Sequence, residues 1–357
     1  MNHRLAKLRH LLLLSGSDAV LITHPANVRY LSGYTGDGVF LLAAADAAYA
    51  ITDFRFLQQA SVQCQGYEVT LYQQGPGNRE KEICRLLAAI GARCLAFEST
   101  YLSFAEYAAL QQEVSVALQP LSGLVEQLRD IKDEKEIGLM RAACRSTDEV
   151  FSQLLPVIHP GMTEKELEWE IMHRMQLTGN GNYAEFATLA GANGAFPHGK
   201  ACYEKRIAPG DFITMDFGCI CQGYHADMTR TVLVGKPTPK QRQLYQLVLE
   251  AQLLSAEAVR PGVSGKEIDR IGRDYITAAG YGEAFGHGMG HGVGLEIHET
   301  PYLRATSEDV LCTGQIITVE PGIYLPGWGG IRIEDTILLT DNGHEVLFES
   351  AKELICL

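Results

Sequence analysis

Short apolar segments alternate with helical patterns over the first third of the chain. Segments rich in Val, Ile, Leu and Ala predict strands, because such side chains suit a buried pleated surface. Helical segments follow some of them, and the chain opens with an amphipathic helix. The sequence therefore predicts an α/β domain over residues 1–128, with strands at 19–23, 38–42, 49–52 and 94–97 and helices at 54–63 and 104–112.

A charged stretch at residues 129–136 separates this part from a region with a different pattern. A chain of 357 residues also favours two domains over one. The second domain, residues 129–357, is predicted to be α+β, with a mainly antiparallel sheet and helices on its outer face. Its predicted helices are 134–158, 163–177, 239–259 and 264–279, and its predicted strands are 213–216, 227–234, 316–320 and 331–339.

The second domain repeats itself. Residues 160–167 and 261–268 share the pattern Pro-Gly, apolar, Ser/Thr, any residue, Lys-Glu, apolar. Each copy predicts a helix that opens with a capping box, formed by Thr163 with Glu166 and by Ser264 with Glu267. Self-similarity at this long period predicts two duplicated half-domains that pack against each other. Further matches follow in the same order, 213–218 with 317–322 and 227–229 with 334–336.

Acidic residues occupy equivalent places in the two copies. Four carboxylates in one apolar core would be very costly, because like charges cannot all ionise there without a counter-charge. Two divalent cations would supply about +4 and cancel them. With one histidine from a glycine-rich segment, the acids suggest a dinuclear metal cage formed by Asp216, Asp227, His291, Glu320 and Glu334.

A carboxylate-rich site with a single imidazole suits Mn²⁺, Co²⁺ or Fe²⁺ better than a structural zinc, which prefers thiolates. Two such ions would bind a water between them and lower its pKa toward neutrality, giving a bridging hydroxide nucleophile. Hydrolysis of an amide or phosphoryl bond is the natural reaction. A Mg²⁺ phosphatase is therefore a competing interpretation.

Histidines separate these two reactions. The segment 286–299 places His287, His291 and His298 among glycines, and His198 follows Phe-Pro. Imidazoles near a polarised carbonyl can hold a developing oxyanion and donate to a leaving nitrogen. Phosphate transfer would favour arginine clamps instead, so peptide hydrolysis is preferred. His225, two residues before Asp227, stays undecided between the site and a turn.

Seven segments carry recognisable motifs, at 287–299, 215–218, 227–231, 319–324 and 331–335, and in the N-terminal part at 27–36 and 51–55. In combination they resemble the pita-bread metallopeptidases, in the Xaa-Pro dipeptidase and Xaa-Pro aminopeptidase branch. The resemblance covers nearly the whole chain and implies a duplicated pita-bread catalytic domain behind a creatinase-like N-terminal domain. It also implies a homodimer and a small peptide substrate. A cytoplasmic location is expected from the sequence itself, whose first helix is interpreted as amphipathic and not as a signal peptide.

The resemblance implies a role for each ligand. Asp216 would hold one metal ion, and His291 and Glu320 would hold the other. Asp227 and Glu334 would bridge the two ions. For ligands of this kind, Mn²⁺ or Co²⁺ is the expected ion, with Zn²⁺ and Fe²⁺ as alternatives.

The resemblance also implies catalytic and substrate-binding residues. Glu320 would take the proton from the nucleophilic water. His198 would contact the leaving side of the scissile peptide, His298 its carbonyl oxygen, and His287 the pocket wall. Arg332 would steady the carboxylates from outside the metal shell.

Composition narrows the function classes. The net charge of −13 argues against a nucleic-acid partner, whose phosphates require a basic surface. No stretch approaches the ~20 apolar residues of a membrane span. The nine cysteines show no disulfide or zinc-ribbon spacing, and Cys219 and Cys221 are interpreted as buried thiols.

Three alternatives stay open within the fold. A broader aminopeptidase would also cleave Met-Xaa bonds. A creatinase-like enzyme or a non-catalytic binding protein would have lost some of the five ligands, all of which are present. Sequence does not decide between a dipeptidase and an aminopeptidase, since that depends on how the far end of the cleft is closed.

Overall fold

The computed structural model describes residues 3–180, 182–183 and 187–357. In it the chain divides into two compact units, Met1–Arg129 and Asp130–Leu357. Within the described ranges, no helix is both long enough and apolar enough to cross a membrane.

The first unit contains one six-stranded sheet in the order β4-β3-β2-β1-β5-β6. The strands are β1 Ala19–Ile22, β2 Phe40–Ala44, β3 Ala48–Thr52, β4 Glu68–Leu71, β5 Cys94–Glu98 and β6 Ala117–Leu121. The helices are α1 His3–Ser15, α2 Pro25–Ser32, α3 Leu57–Gln63, α4 Asn78–Ala89, α5 Phe104–Glu113 and α6 Glu126–Asp130. The sheet is mixed, since β1 pairs antiparallel with β2 and parallel with β5. An α/β architecture was predicted for this part of the chain, and the structure has it.

One helix of this unit begins later than the pattern predicts. The helix expected from residue 54 starts at Leu57. Before it, the Asp53 carboxylate accepts a hydrogen bond from the backbone N–H of Arg55 at 2.9 Å. Such a local bond favours a turn over a first helical turn.

Four long helices frame the second unit. They are α7 Glu134–Leu154, α8 Glu164–Leu177, α9 Pro239–Glu257 and α10 Gly265–Ala278, with 3-10 turns at Gly191–Ala195 and Gly282–Ala284. Helix α7 ends at Leu154, before the predicted residue 158, because Pro156 has no backbone N–H to continue the helical hydrogen bonds.

The predicted capping boxes form to different extents. Thr163 and Glu166 form a complete box at the start of α8. Ser264 accepts from the backbone N–H of Glu267 at 3.2 Å, but the Glu267 carboxylate binds Arg270 at 2.7 Å instead of closing the box. The prediction at α10 is therefore half wrong, because a guanidinium one turn along competes for the acid.

The strands of the second unit are short and pair antiparallel wherever named strands meet. They form sheets ordered β11-β10-β7, β12-β9-β8, β14-β13-β15-β18-β19 and β16-β17. Their bounds are β7 Asn182–Tyr183, β8 Ala187–Ala190, β9 Phe212–Phe217, β10 Cys219–Cys221, β11 Tyr224–His225, β12 Met228–Leu233, β13 Gly290–Gly292, β14 Glu299–Leu303, β15 Ile316–Val319, β16 Gly322–Leu325, β17 Gly329–Arg332, β18 Asp335–Thr340 and β19 Gly343–Val346.

The sequence repeat corresponds to two antiparallel strand pairs. In the first, β9 pairs with β12, with Asp216 opposite Thr229. In the second, β15 pairs with β18, with Val319 opposite Asp335. Each pair carries one acid at the end of its first strand and one just before its second strand. The duplication therefore places the four acids at corresponding points of the two pairs.

The strand predicted over 331–339 is interrupted. β17 ends at Arg332 and β18 begins at Asp335. Between them, the backbone N–H of Glu334 donates to the carbonyl of Thr229 at 3.1 Å, in the other half of the repeat. The break occurs because Glu334 is hydrogen-bonded across the seam of the duplication and not within its own ladder.

Candidate active site

A cleft of about 220 Å³ opens in the second unit. All nine site residues predicted from the sequence lie in its wall. The cleft is also lined by residues to which the sequence analysis assigned no role, namely Tyr302, Arg304, Tyr324, Pro197 and Ile297. The predicted residues are His198, Asp216, Asp227, His287, His291, His298, Glu320, Arg332 and Glu334.

Four of the five candidate metal ligands lie close to His291 or to one another, and Asp216 lines the same cleft. Ligand atoms of Asp227, His291 and Glu334 all lie within 4.8 Å of one another, and all three residues are buried. The His291 Nε2 atom is 3.6 Å from Asp227 Oδ2 and 3.4 Å from Glu320 Oε1. One imidazole nitrogen therefore faces carboxylates from both halves of the repeat.

Glycines on both sides of His291 allow this approach. A Cβ atom on Gly290 would lie 2.0 Å from the Thr318 carbonyl, and one on Gly292 would lie 2.0 Å from the Thr300 carbonyl. Only glycine fits between such close backbones. The Gly-His-Gly sequence thus packs β13 tightly between its neighbours and directs the ring between them into the cleft.

Hydrogen bonding assigns the tautomer of His291. Its Nδ1 atom lies 3.0 Å from the Gly292 carbonyl oxygen, which can only accept. Nδ1 therefore carries a proton, and Nε2 is the ring atom that faces Asp227 and Glu320. This is the arrangement that a histidine needs to bind a metal ion.

The buried acids disfavour their own ionisation. Burial raises the pKa of Glu320 to about 7, with the Asp216 charge adding to the shift and Arg332 opposing it. Burial also raises the pKa of Glu334 well above its usual range, assisted by Asp227 and Glu320. A positive charge that does not come from the chain, such as a bound cation, would favour the ionised form of both carboxylates.

Arg332 supplies the protein's own positive charge to the cluster. It is 3% exposed and donates from Nη2 to Asp216 at 2.5 Å, from Nη1 to Tyr324 at 3.0 Å and from Nε to Thr229 at 3.0 Å. Thr229 in turn donates to Glu334 at 2.6 Å. The guanidinium thus touches or supports acids of both repeats.

Tyr324 links Arg332 to His287. The hydroxyl lies 2.9 Å from His287 Nε2, while His287 Nδ1 lies 2.8 Å from the Gly288 carbonyl. Burial, with Arg332 next in effect, lowers the pKa of His287 to about 3, so the ring is neutral at pH 7. Burial raises the pKa of Tyr324 to about 12, so its hydroxyl keeps its proton and donates it to His287. The sequence shows Tyr324 directly after Pro-Gly-Ile, but it does not show that His287 is the hydrogen-bond partner of this tyrosine.

The other histidines take different positions. The His298 ring packs edge-on against His291, with centroids 4.4 Å apart. His198 is exposed at the rim of the cleft. The Nδ1 atom of His225 lies 3.0 Å from the Gly294 carbonyl oxygen, so this residue contacts the adjoining loop.

The thiols flanking the first acidic segments are buried and free. Cys219 is fully buried, and this burial raises the pKa of its thiol to about 11. A neutral thiol is a poor metal ligand. This agrees with the interpretation of Cys219 and Cys221 as packing residues.

Family comparison identifies both parts of the chain. Residues 138–341 match metallopeptidase family M24, and residues 4–131 match the creatinase/prolidase N-terminal domain. The chain therefore belongs to metallopeptidase family M24, and its fold is the pita-bread domain with a creatinase-type N-terminal domain, as the resemblance predicted.

Individual relatives cover the whole length. The Bacillus subtilis protein named "Uncharacterized peptidase YqhT" is 39% identical over 356 residues, spanning 99% of this chain and 100% of the relative. The Xaa-Pro dipeptidase of Pyrococcus horikoshii is 36% identical and spans 99% of each chain. These matches confirm the predicted class of enzyme, a peptidase of the Xaa-Pro hydrolase branch.

Two solved structures superpose closely. The Xaa-Pro dipeptidase from Bacillus anthracis has a TM-score of 0.96 at 41% identity, covering 99% of both chains. The X-Pro aminopeptidase from Thermotoga maritima has a TM-score of 0.89 at 32% identity, covering 98% of this chain and 100% of the other. Proteins named Xaa-Pro dipeptidase and X-Pro aminopeptidase thus share this backbone fold.

Proposed function

We propose that the protein is a dinuclear metal-dependent peptidase that hydrolyses the Xaa-Pro bond of dipeptides and short peptides at their N-terminus. The observation that carries the proposal is the convergence of four carboxylates and the His291 Nε2 atom in one cleft with three further histidines. The names of the relatives from Pyrococcus horikoshii and Bacillus anthracis supply the proline preference.

The donor set fits two divalent ions. Asp216 would hold one ion, His291 and Glu320 the other, and Asp227 and Glu334 both. Four oxygen ligands and one nitrogen favour Mn²⁺ or Co²⁺ and also admit Fe²⁺ or Zn²⁺. When bound, the ions would neutralise the carboxylates, polarise the scissile carbonyl and lower the pKa of water toward neutrality.

Side chains of the protein would accept the proton of the attacking water and contact the substrate. The Glu320 carboxylate accepts from Thr318 Oγ1 at 3.4 Å, which leaves oxygen lone pairs for the proton of the attacking water. His298, packed against His291, is placed to donate to the carbonyl oxygen, and His198 at the rim to contact the leaving nitrogen. His287, kept neutral by burial and hydrogen-bonded to Tyr324, would form an uncharged wall of the pocket.

Proline imposes a physical condition on the site. Its tertiary amide has no N–H, so recognition cannot depend on that donor. A site that recognises the carbonyl oxygen, as proposed for His298, has no such dependence. The ring would then have to fit beside the histidines of the cleft wall.

Arg304 favours a dipeptide as the substrate. Among the described residues that line the cleft, Arg304 and Arg332 carry the guanidinium groups. Arg332 is fully engaged inside the wall, whereas Arg304 is exposed and stacks on the Tyr302 ring at 4.8 Å. Its guanidinium is therefore available to a C-terminal carboxylate, with which it can form two parallel hydrogen bonds.

The aminopeptidase alternative retains one specific support. The likeness to the Thermotoga maritima X-Pro aminopeptidase extends over 98% of this chain. Longer peptides, including those that begin with Met, are therefore the second candidate substrates.

We also propose the domain organisation and assembly implied by the family. A boundary between residues 128 and 129 is supported by the division into units Met1–Arg129 and Asp130–Leu357. A homodimer stays a prediction from the family resemblance, and a cytoplasmic location stays a prediction from the sequence.

A peptide panel tests the proposal. Protein loaded with Mn²⁺ or Co²⁺ is expected to cleave Ala-Pro and Met-Pro, and to leave Ala-Ala-Ala and creatine intact. Comparison of Ala-Pro with Ala-Pro-Ala and Ala-Pro amide measures the contribution of the free carboxylate. Loss of a charge-assisted hydrogen bond costs roughly 1.5–3 kcal/mol, so KM for the amide should rise about 10- to 100-fold.

The outcomes discriminate between the candidates. Equal kcat/KM for Ala-Pro and its amide would remove Arg304 from carboxylate recognition and favour the aminopeptidase. Preferred cleavage of Met-Ala-Ala would assign the broader aminopeptidase. Silence on every peptide by metal-loaded protein would contradict the proposal.

A further inference from the structure

A loop of the first half of the repeat carries two residues of the cleft wall. The 190–202 loop runs from Ala190 at the end of β8 to Cys202 and includes a 3-10 turn, Gly191–Ala195. Pro197 and His198 lie on it and line the cleft. The placement of His198 therefore depends on what fixes this loop.

One carboxylate holds both ends of the loop. Glu164, in the first turn of α8, accepts from the backbone N–H of Ala190 at 2.7 Å through Oε1. Through Oε2 it accepts from the backbone N–H of Cys202 at 3.2 Å. Asn193 donates to both oxygens, at 3.2 and 3.1 Å, and the Cys202 thiol donates at 3.4 Å. A single side chain thus closes the loop at its base and binds its 3-10 turn.

The Glu164 contacts are those of an organising group. The residue is completely buried, and in the described part of the chain its partners are amide and thiol donors, with no lysine or arginine among them. A buried carboxylate without a cation is costly unless several donors satisfy it. An apolar side chain would fill the space at a lower cost, but it would not select one loop conformation.

The rest of the loop rests on the strand that supplies Arg332. A Cβ atom on Gly330 would lie 1.9 Å from the Gly194 carbonyl, and one on Gly329 would lie 2.8 Å from the Gly191 carbonyl. The 3-10 turn therefore packs directly on the backbone of β17. Fixed at its base by Glu164 and at its turn by β17, the loop leaves His198 little freedom relative to the metal ligands.

The sequence repeat sets Glu164 apart. Its counterpart in the second copy is Gly265, although the residues that follow, Lys-Glu, are the same in both. A Cβ atom on Gly265 would lie 2.3 Å from the Tyr302 carbonyl, so no carboxylate can occupy that place. The hydrogen bonds that Glu164 accepts from Ala190, Asn193 and Cys202 are called the clamp below. The clamp lies in the half of the repeat that carries His198.

We propose that Glu164 is a positioning residue for the reaction, acting through the 190–202 loop to hold His198 against the leaving side of the substrate. This inference rests on the proposed function, because it assigns His198 to the scissile peptide. Glu164 touches no substrate atom in this scheme. Its effect on catalysis is therefore exerted through the loop and the His198 side chain that the loop carries.

Glu164→Gln tests the clamp with little change in side-chain size. The amide nitrogen would face backbone N–H donors, so one end of the loop loses its acceptor. Displacement of a group by about 1 Å can cost on the order of 100-fold in rate, and we expect kcat for Ala-Pro to fall about 10- to 100-fold with bound metal unchanged. Glu168→Gln is the matched control, since Glu168 lies one turn along α8 and pairs with Lys165 at 2.6 Å.

A double-mutant cycle separates positioning from general stabilisation. If Glu164 acts through His198, Glu164→Gln should add less than about twofold to the loss caused by His198→Ala, because coupled residues are not additive. Independent, multiplicative losses would overturn the inference. So would wild-type kcat in a Glu164→Gln protein whose unfolding temperature alone is lowered.

Hydrogen exchange gives a readout that does not require activity. The backbone amides of the 190–202 loop should exchange faster in Glu164→Gln and unchanged in Glu168→Gln. Unchanged exchange in both would overturn the clamp, whatever the enzyme hydrolyses. An inactive wild type, or a fully active His198→Ala, would instead contradict the proposed function. If Glu164→Gln does not fold, Asn193→Ala removes one set of clamp bonds and should produce the same changes to a smaller extent.

Discussion

Replacing Asp227 with asparagine is expected to abolish peptide hydrolysis in a protein that still folds. Asp227 lies 3.6 Å from His291 Nε2 and belongs to the buried group of possible ligands. Asparagine preserves its size but lacks the charge that would bind two cations. Since changes to groups outside the metal shell already cost 10- to 100-fold, loss of a shared ligand should reduce kcat/KM for Ala-Pro by more than about 100-fold.

The folded state should tolerate this change. Removing one negative charge relieves repulsion with Glu334, whose pKa Asp227 helps to raise, so the metal-free protein should be as stable as the parent or more so. The exposed Asp341 provides a control for the same chemical change through Asp341→Asn. Full turnover by the metal-loaded Asp227→Asn protein would show that the cage is assigned wrongly.

Arg332→Met is expected to destabilise the metal-free protein strongly. The change leaves the half-buried Asp216 and Glu320 and the buried Glu334 without the guanidinium that faces them. Loss of one partner of a buried ion pair costs about 3–5 kcal/mol. Bound cations would replace the missing charge, so the loss should be smaller in the metal-loaded protein. Thermal unfolding of the chelated and metal-loaded forms measures both values.

A surface substitution calibrates this experiment. Arg270 on α10 pairs with Glu267 and Asp274 but is 56% exposed, so Arg270→Met should change stability by less than about 1 kcal/mol. An equal destabilisation by Arg332→Met with and without metal would mean that Arg332 acts by packing and not by charge.

Much of the candidate site was predictable because the chain is duplicated. Acids at corresponding places of the two copies, such as Asp216 and Glu320, can be recognised as candidate metal ligands from the sequence alone. The Gly-His-Gly sequence likewise predicts a backbone squeezed between neighbours, and the structure confirms it for His291. Regular elements followed from apolar patterns and caps, as at Thr163.

What the sequence could not reveal depends on contacts between distant segments. Strand 331–339 looks continuous, yet Glu334 leaves it to bond with Thr229. Glu164 lies at the position of the repeated motif that can be any residue. Only the fold shows that its carboxylate binds the backbone of Ala190 and Cys202. Tyr324 gains its meaning from His287, whose ring the fold brings within 2.9 Å.

The most direct test of the dinuclear centre is a titration of metal-stripped protein with Mn²⁺, in which bound ions per chain and Ala-Pro hydrolysis are measured in parallel. We expect no hydrolysis without metal and full activity when two ions are bound per chain. Full hydrolysis by metal-free protein would contradict a dinuclear metal mechanism, as would two bound ions with no cleavage of any Xaa-Pro peptide.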